Sequence, residues 1–119
     1  MRDNVVKNKS FVFAVRIVKL YQYLCEVKRE FVLSKQLLRS GTSVGAMIRE
    51  AEHAETKNDF KHKMGIAQKE INETIYWLEL LKETDYLTSE QFESLNADAI
   101  EIIKLVTAIL KSAKANINH

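Results

Sequence analysis

Two carboxylate–histidine pairs have a spacing that binds metals in some helical proteins. Glu50 precedes His53 by three residues, and Asp59 precedes His62 by the same interval. In di-iron four-helix bundles this spacing works together with inward-facing carboxylates from the other helices, at the middle of the bundle. Both pairs here lie near one predicted helix–helix connection, and the apolar core positions further along the chain contain no acid. We therefore predict no metal site and no cofactor.

Nucleophilic catalysis has less support still. Cys25 is the only cysteine, so neither an intramolecular disulfide nor a cysteine-based zinc site can form, and no histidine lies near it in sequence. Ser40 and Ser43 fall inside a predicted helix, without the strand–turn–helix elbow of a hydrolase. Gly41 and Gly45 also lie in mid-helix, where they form no phosphate-binding loop. We expect no catalytic residue and no enzymatic activity.

Basic residues recur along one stripe of the second predicted helix and again on the first. The set comprises Arg16 and Lys19 on the first helix, and Lys35, Arg39, Arg49 and His53 on the second. Phosphate contacts need positive charge at a suitable pitch, so the lysines and arginines of this set are candidates for nucleic-acid binding. The net charge is only +2, which favours the alternative of a solvated helix face with local ion pairs.

The elements that must position these residues are helices. The chain has 119 residues, no proline and three glycines, which favours a few long elements over the many turns of a β-rich fold. Apolar residues spaced by three and four predict helices at about residues 10–26, 32–53, 57–83 and 89–114. The connections are short, so the sequence predicts an all-α, antiparallel up-down-up-down four-helix bundle forming a single domain over residues 1–119.

Several residues mark the starts of these predicted helices or weaken their interior. Ser10 is placed to cap the first helix, and Thr88 and Gln91 have the spacing of a capping box at the start of the fourth. Gly41 and Gly45 weaken the second helix by roughly 1 kcal/mol each relative to alanine. We expect them to let another helix come close at that point.

The first predicted helix is more hydrophobic than one buried side requires. Nearly every residue from 11 to 25 is apolar, apart from a narrow polar stripe. A bundle core covers one side of each helix, so the surplus predicts an interface between subunits. We assign Val12, Val15 and Tyr23 to this interface, although the sequence leaves open which face of the helix points toward its own bundle.

The sequence predicts no contact with a membrane. The longest apolar stretch, residues 11–25, is interrupted by Arg16, Lys19 and Gln22 and is too short to span a bilayer. The first residues lack the apolar segment of a signal peptide. We therefore expect a cytoplasmic protein.

Two runs of residues in the second and third predicted helices form a characteristic pattern. The run in the second helix consists of Arg39, Ser40, Ser43, Ile48 and Glu50. The run in the third helix consists of Glu70, Glu73, Trp77 and Leu78. With these runs, residues 36–81 resemble the 23S rRNA intervening-sequence family of four-helix-bundle proteins, and the likeness extends more loosely over the first helix. The family usually has Asn where this chain has Met47, which puts any polar role of that position in question.

The resemblance implies a four-helix up-down bundle that assembles into rings, with pentamers as the precedent, and it implies no catalytic activity. It also implies similarity to the accessory protein of diversity-generating retroelements, a basic bundle that binds nucleic acid and a reverse transcriptase. Partners to expect are therefore further copies of the chain and either nucleic acid or another protein. A purely structural or protein-binding scaffold is the alternative to a nucleic-acid role.

A polar network is the other interpretation of the charged residues in the family pattern. One arginine with several glutamates on facing helices suits the requirement that buried charges be paired. The members of this predicted network are Arg39, Glu50, Glu70 and Glu73. Arg39 thus belongs to both the candidate nucleic-acid face and the candidate network.

Overall fold

Four α-helices make up the fold in a computed structural model, which describes residues 2–117 and the side chains of residues 4–113. They are α1 (Arg2–Glu26), α2 (Leu33–Glu52), α3 (Lys57–Glu83) and α4 (Ser89–Ile117). Each helix packs against the next in sequence, and α1 also packs against α4, which closes a four-membered arrangement. The predicted all-α four-helix bundle is confirmed, and short connections with these contacts are consistent with an up-down-up-down order.

The buried core follows the predicted three-and-four spacing. On α3 the buried residues are Met64, Ala67, Ile71, Thr74, Leu78 and Leu81. On α4 they are Leu95, Ala99, Ile102, Val106 and Ile109. Phe60 and Phe92, in the first turns of the two helices, are half-buried. Each large apolar side chain buried in this way stabilises the fold by about 1.5–3 kcal/mol relative to leaving it exposed.

The predicted start of α1 at Ser10 is wrong. The helix begins at Arg2, and Val6 already belongs to the core. Ser10 is completely buried, and its hydroxyl donates a hydrogen bond to the Lys7 carbonyl at 3.0 Å. Because that bond satisfies the hydroxyl inside its own helix, Ser10 sits in mid-helix without acting as a cap.

The other predicted helix starts lie within one residue of the observed ones, and their caps are formed by side chains. The Gln91 N–H donates to the Thr88 hydroxyl at 3.1 Å, while the Thr88 N–H donates to the Gln91 side-chain carbonyl at 2.9 Å. The capping box is therefore confirmed. At α3 the Thr56 hydroxyl accepts the Asp59 N–H at 3.0 Å.

A buried carboxylate that the sequence interpretation missed holds the start of α2. Glu30 precedes the helix, and its two carboxylate oxygens accept the backbone N–H groups of Val32, Leu33 and Ser34 at 3.1, 2.9 and 2.7 Å. Burial alone would raise the pKa of Glu30, but these three N–H groups and the Ser34 hydroxyl outweigh it and lower the pKa. Glu30 therefore serves as the N-terminal cap of α2 in its charged form.

Gly41 has the predicted role of admitting a neighbouring helix, whereas Gly45 does not need to be a glycine for that purpose. A Cβ atom on Gly41 would lie 2.8 Å from Ile17 of α1, while one on Gly45 would lie 3.4 Å from the hydroxyl of Ser10, an ordinary van der Waals contact. The prediction is therefore confirmed at Gly41 only. No helix of the described chain is long and apolar enough to cross a bilayer.

Candidate assembly surface and charged clusters

The outward side of α1 carries a row of exposed apolar side chains. Val12 is 58% exposed, Phe11 53%, Val15 38% and Val18 37%. Val15 follows Phe11 by four residues and Val12 by three, and Val18 follows Val15 by three. This spacing places the four side chains together on the side opposite the buried Phe13 and Ile17. We call Phe11, Val12, Val15 and Val18 the α1 face. An apolar row of this kind is typical of an interaction surface, because isolated exposed apolar residues are common but contiguous ones are not.

The residues predicted for the subunit interface do not all belong to the α1 face. Val12 and Val15 do, whereas Tyr23 is half-buried and packs against the core. Phe11 and Val18 belong to the α1 face but were not among the residues predicted for the interface. The sequence left open which face of α1 points toward its own bundle. In the structure this face carries the buried residues Val6, Phe13, Ile17 and Leu24.

An arginine of α2 borders the α1 face. The guanidinium carbon of Arg49 lies 5.1 Å from the centre of the Phe11 ring, within the range of a cation–π contact. The contact joins the second helix to the apolar row of the first. It also gives the charge of Arg49 a partner other than a carboxylate.

Arg16, another candidate for phosphate binding, ties α1 to α4 instead. One of its terminal nitrogens donates to the Asp98 carboxylate at 2.6 Å, and the other donates to the Ser94 hydroxyl at 2.9 Å. Lys9 and Glu101 form a second ion pair between the same two helices at 2.8 Å. Arg16 is therefore engaged within the bundle.

The predicted polar network is divided by the structure into two places. Arg39 donates to Glu70 at 3.2 Å and also to Glu73, and Glu73 accepts the indole N–H of Trp77 at 2.9 Å. Glu50 lies apart from this cluster and accepts from Lys63 at 2.9 Å. That hydrogen bond and the charge of Glu50 raise the pKa of Lys63.

A short polar contact lies next to the Arg39 cluster, inside the bundle. The buried Thr74 hydroxyl donates to the Ser40 hydroxyl at 2.9 Å and lies 2.7 Å from the Glu70 carbonyl. Ser40 and Thr74 occupy core positions of α2 and α3, so this contact fixes the two helices against each other from within. Ser40 thus has a packing role, and the hydroxyl groups of Ser40 and Thr74 satisfy each other.

The five lysines and arginines predicted to bind nucleic acid do not form one cationic face. Arg16 lies on the α4 side of α1, and Arg39 of α2 forms an ion pair with Glu70 of α3. Lys19, Lys35 and Arg49 remain on the outer surfaces of α1 and α2, and they make no ion pair with the side chains that the structure describes. Within the same described part, no group of three histidine, cysteine or acidic side chains is arranged to hold a metal ion.

Comparisons with known proteins agree with the fold and with the family pattern. The family model described as 23S rRNA-intervening sequence protein matches residues 2–108. A crystal structure of a protein of unknown function from the S23 ribosomal protein family of Bacteroides thetaiotaomicron is 61% identical, with a TM-score of 0.93 over 93% of this chain and 99% of that one. None of the curated proteins matches the chain. The match of the family model over most of its length shows that this chain belongs to the 23S rRNA-intervening sequence protein family.

Proposed function

We propose that this protein is a non-enzymatic, self-assembling helical bundle whose copies associate through the α1 face. The observation that carries the proposal is the exposure of Phe11, Val12, Val15 and Val18 in one row, opposite the side of α1 that packs into its own bundle. Covering such a row removes apolar area from water, and each fully covered side chain contributes about 1.5–3 kcal/mol before the costs of association.

A ring is the form of assembly that we propose, with five copies on the precedent that the family resemblance supplies. Neighbours in a ring meet through two different surfaces, whereas the two halves of a symmetric dimer meet through the same one. The described chain offers further exposed apolar residues to face α1, among them Val32 before α2 and Tyr76 on α3, which are 73% and 55% exposed. These residues support a heterologous contact.

The mass of the assembly in solution tests this proposal, measured by light scattering during size-exclusion chromatography. We expect Val15→Glu to lower the mass to that of a folded monomer, because a carboxylate would be buried without a partner in the interface. Ile100→Glu on α4 is the matched control, since Ile100 is 38% exposed like Val15 but lies outside the α1 face. A folded Val15→Glu protein with the mass of the wild type would overturn the proposed interface.

Nucleic-acid binding is the second candidate function, and a narrower set of residues supports it than the sequence predicted. Lys19, Lys35 and Arg49 are the candidates that form no ion pair with a described carboxylate, although the pKa of Glu52 is lowered by the hydrogen bond from Lys7 and, to a smaller extent, by the charge of Arg49. A ring would present each of them several times, and weak phosphate contacts gain affinity when they are linked. The likeness to the retroelement accessory protein stays a prediction that points the same way.

Fluorescence anisotropy against labelled structured RNA, single-stranded DNA and duplex DNA tests this candidate across a salt series. Binding should weaken steeply with salt and be lost in a folded Lys35→Glu, Arg49→Glu protein. Lys69→Glu, Lys104→Glu makes the same change of charge at exposed positions of α3 and α4 and is the matched control, which should keep its binding. An absence of binding at low salt, with the assembly intact, would leave a structural scaffold for a protein partner.

A further inference from the structure

A cavity of about 450 Å³ opens at the end of the bundle where α2 is joined to α3. Its apolar lining comes from every helix and includes Val6, Ile48, Ala51, Phe60, Met64 and Ile109. We propose that this cavity binds a small, uncharged, apolar molecule that carries one hydrogen-bond acceptor. This inference is independent of the assembly proposed above, because no residue of the α1 face lines the cavity.

The size and lining of the cavity fit such a ligand. Small-molecule sites usually measure about 300–1,000 Å³ and are lined mainly by apolar side chains with a few polar groups. Val6, Met64 and Ile109 are almost entirely buried, so the inner end of the cavity belongs to the core of the bundle. Ala51 and Ala54 line it near the end of α2, and their small side chains leave room where the other helices contribute larger ones.

The charges at the rim argue for an uncharged ligand. Lys7 and Glu52 neutralise each other across the rim, with 3.0 Å between the ammonium nitrogen and the carboxylate. Lys57 and Glu55 add one further charge of each sign. The balance leaves no net field to select an ion, and a charged ligand would have to compete with the existing pair. A neutral molecule needs no net field for its selection and does not compete with the pair of Lys7 and Glu52.

Two uncharged polar residues, Asn4 and Thr56, also line the cavity, and both can form hydrogen bonds. The hydroxyl oxygen of Thr56 accepts the backbone N–H of Asp59 at 3.0 Å. A hydroxyl group has one proton to donate in addition to accepting. The Thr56 hydroxyl can therefore donate its proton to a carbonyl or ether oxygen, so a ligand with one such acceptor fits the rim.

The fluorescent ketone Prodan has this chemistry, an uncharged naphthalene with one carbonyl, and serves as the probe. We expect saturable binding at one site per chain, with emission shifted to the blue. Ala54→Phe should fill the mouth of the cavity and weaken binding by about tenfold or more. The matched control is Ala46→Phe, which makes the same change at an exposed position of α2 outside the cavity. Equal losses in the two variants, or no saturable binding by the wild type, would overturn the proposal.

The methionines give a second measurement that needs no substitution. The chain has three methionines, of which Met64 lines the cavity and Met47 does not. In protein labelled with ¹³C at the methionine methyl groups, Prodan should shift the Met64 signal and leave that of Met47 in place. Binding should also persist in Val15→Glu, which separates this site from the assembly surface. A probe that moves only the Met47 signal, or that is lost in Val15→Glu, would place the site elsewhere and refute the inference.

Discussion

Gly41 of α2 lies so close to Ile17 of α1 that a Cβ atom on the glycine would stand 2.8 Å from both Cγ atoms of the isoleucine. Ile17 is completely buried, and a β-branched side chain has almost no alternative rotamer in a helix. Ile17 therefore cannot move aside without strain. The absence of a methyl group at Gly41 sets the distance between the two helices at this point. The opposite side of α1, which carries the α1 face, is exposed to solvent.

Gly41→Ala should lower the free energy of unfolding by up to about 2 kcal/mol. Overpacking against Ile17 costs about 1–3 kcal/mol, and the gain of about 1 kcal/mol in helix propensity offsets part of that cost. Gly65→Ala on α3 is the control, because no described atom outside its chain neighbours and the backbone of its own helix lies within 4 Å of the position of its Cβ, and it should be neutral or stabilising. Urea unfolding followed by circular dichroism measures both. Equal stabilisation of the two variants would show that close packing does not require Gly41.

Glu30→Gln should destabilise the bundle at neutral pH by about 1–2 kcal/mol, the usual effect of losing an N-cap together with hydrogen bonds to a charged group. The neutral amide offers one oxygen to the three N–H groups that the carboxylate now accepts, and its own NH₂ group faces donors. Glu26→Gln, an exposed change at the end of α1, should alter stability little. A similar loss in the two variants would indicate a general charge effect.

The same residue predicts how stability depends on pH. The pKa of Glu30 is lower in the folded protein than its ordinary value of 4.5, so the unfolded chain binds the proton first as the solution is acidified. The contribution of Glu30 is therefore complete above pH 4.5 and declines as the pH falls through the lowered folded value. We expect the difference in stability between wild type and Glu30→Gln to shrink across this acidic range. A difference that stays constant there would contradict the role of the charged carboxylate.

The spacing of apolar residues was sufficient to predict the fold, because it indicates which side of each helix is buried. The core of α3, from Met64 to Leu81, follows from the sequence alone, and the capping box at Thr88 follows from local chemistry. The start of α1 does not, because Ser10 has the residue type of a cap but hydrogen-bonds within its own helix. A serine that caps a helix and one that packs in mid-helix look alike until the neighbouring helix is known.

The candidate sites were harder to predict, since charge pairing depends on the orientation of side chains between helices. The stripe from Lys35 to Arg49 does lie on the outer side of α2. However, Arg39 pairs with glutamates of α3, and Arg49 contacts the Phe11 ring of α1. Glu50 has the sequence pattern of the network and pairs with Lys63 instead. The cap formed by Glu30 had only a faint signal, an acidic residue shortly before a helix. The cavity had none, because it depends on four helices and one connection.

Thr88→Ala should reduce the free energy of unfolding by about 1 kcal/mol, since the Gln91 N–H loses its acceptor at the start of α4. Ser89→Ala is the matched control, because it removes a neighbouring exposed hydroxyl that forms no part of the capping box. Thermal unfolding measures both variants. Equal shifts would assign the effect to the connection between α3 and α4 in general.

The pairing of Arg39 is tested by a double-mutant cycle with Glu73. The side chains are 51% and 35% exposed, so solvent screens the pair and we expect a coupling of only about 0.5–1 kcal/mol, reduced by salt. Arg39→Met and Glu73→Gln, singly and together, give the cycle from urea unfolding followed by circular dichroism. Trp77, the only tryptophan, should also change its fluorescence when Glu73 is replaced, because its indole N–H loses a charged acceptor.

The control cycle pairs Arg39 with Glu50, which the family pattern groups together and the structure separates. Glu50 accepts from Lys63, so we expect no measurable coupling between Arg39 and Glu50, because mutations at separated sites with no shared partner add. If that coupling matched the one between Arg39 and Glu73, a single network would join all four charged residues, and the division into two clusters would have to be abandoned.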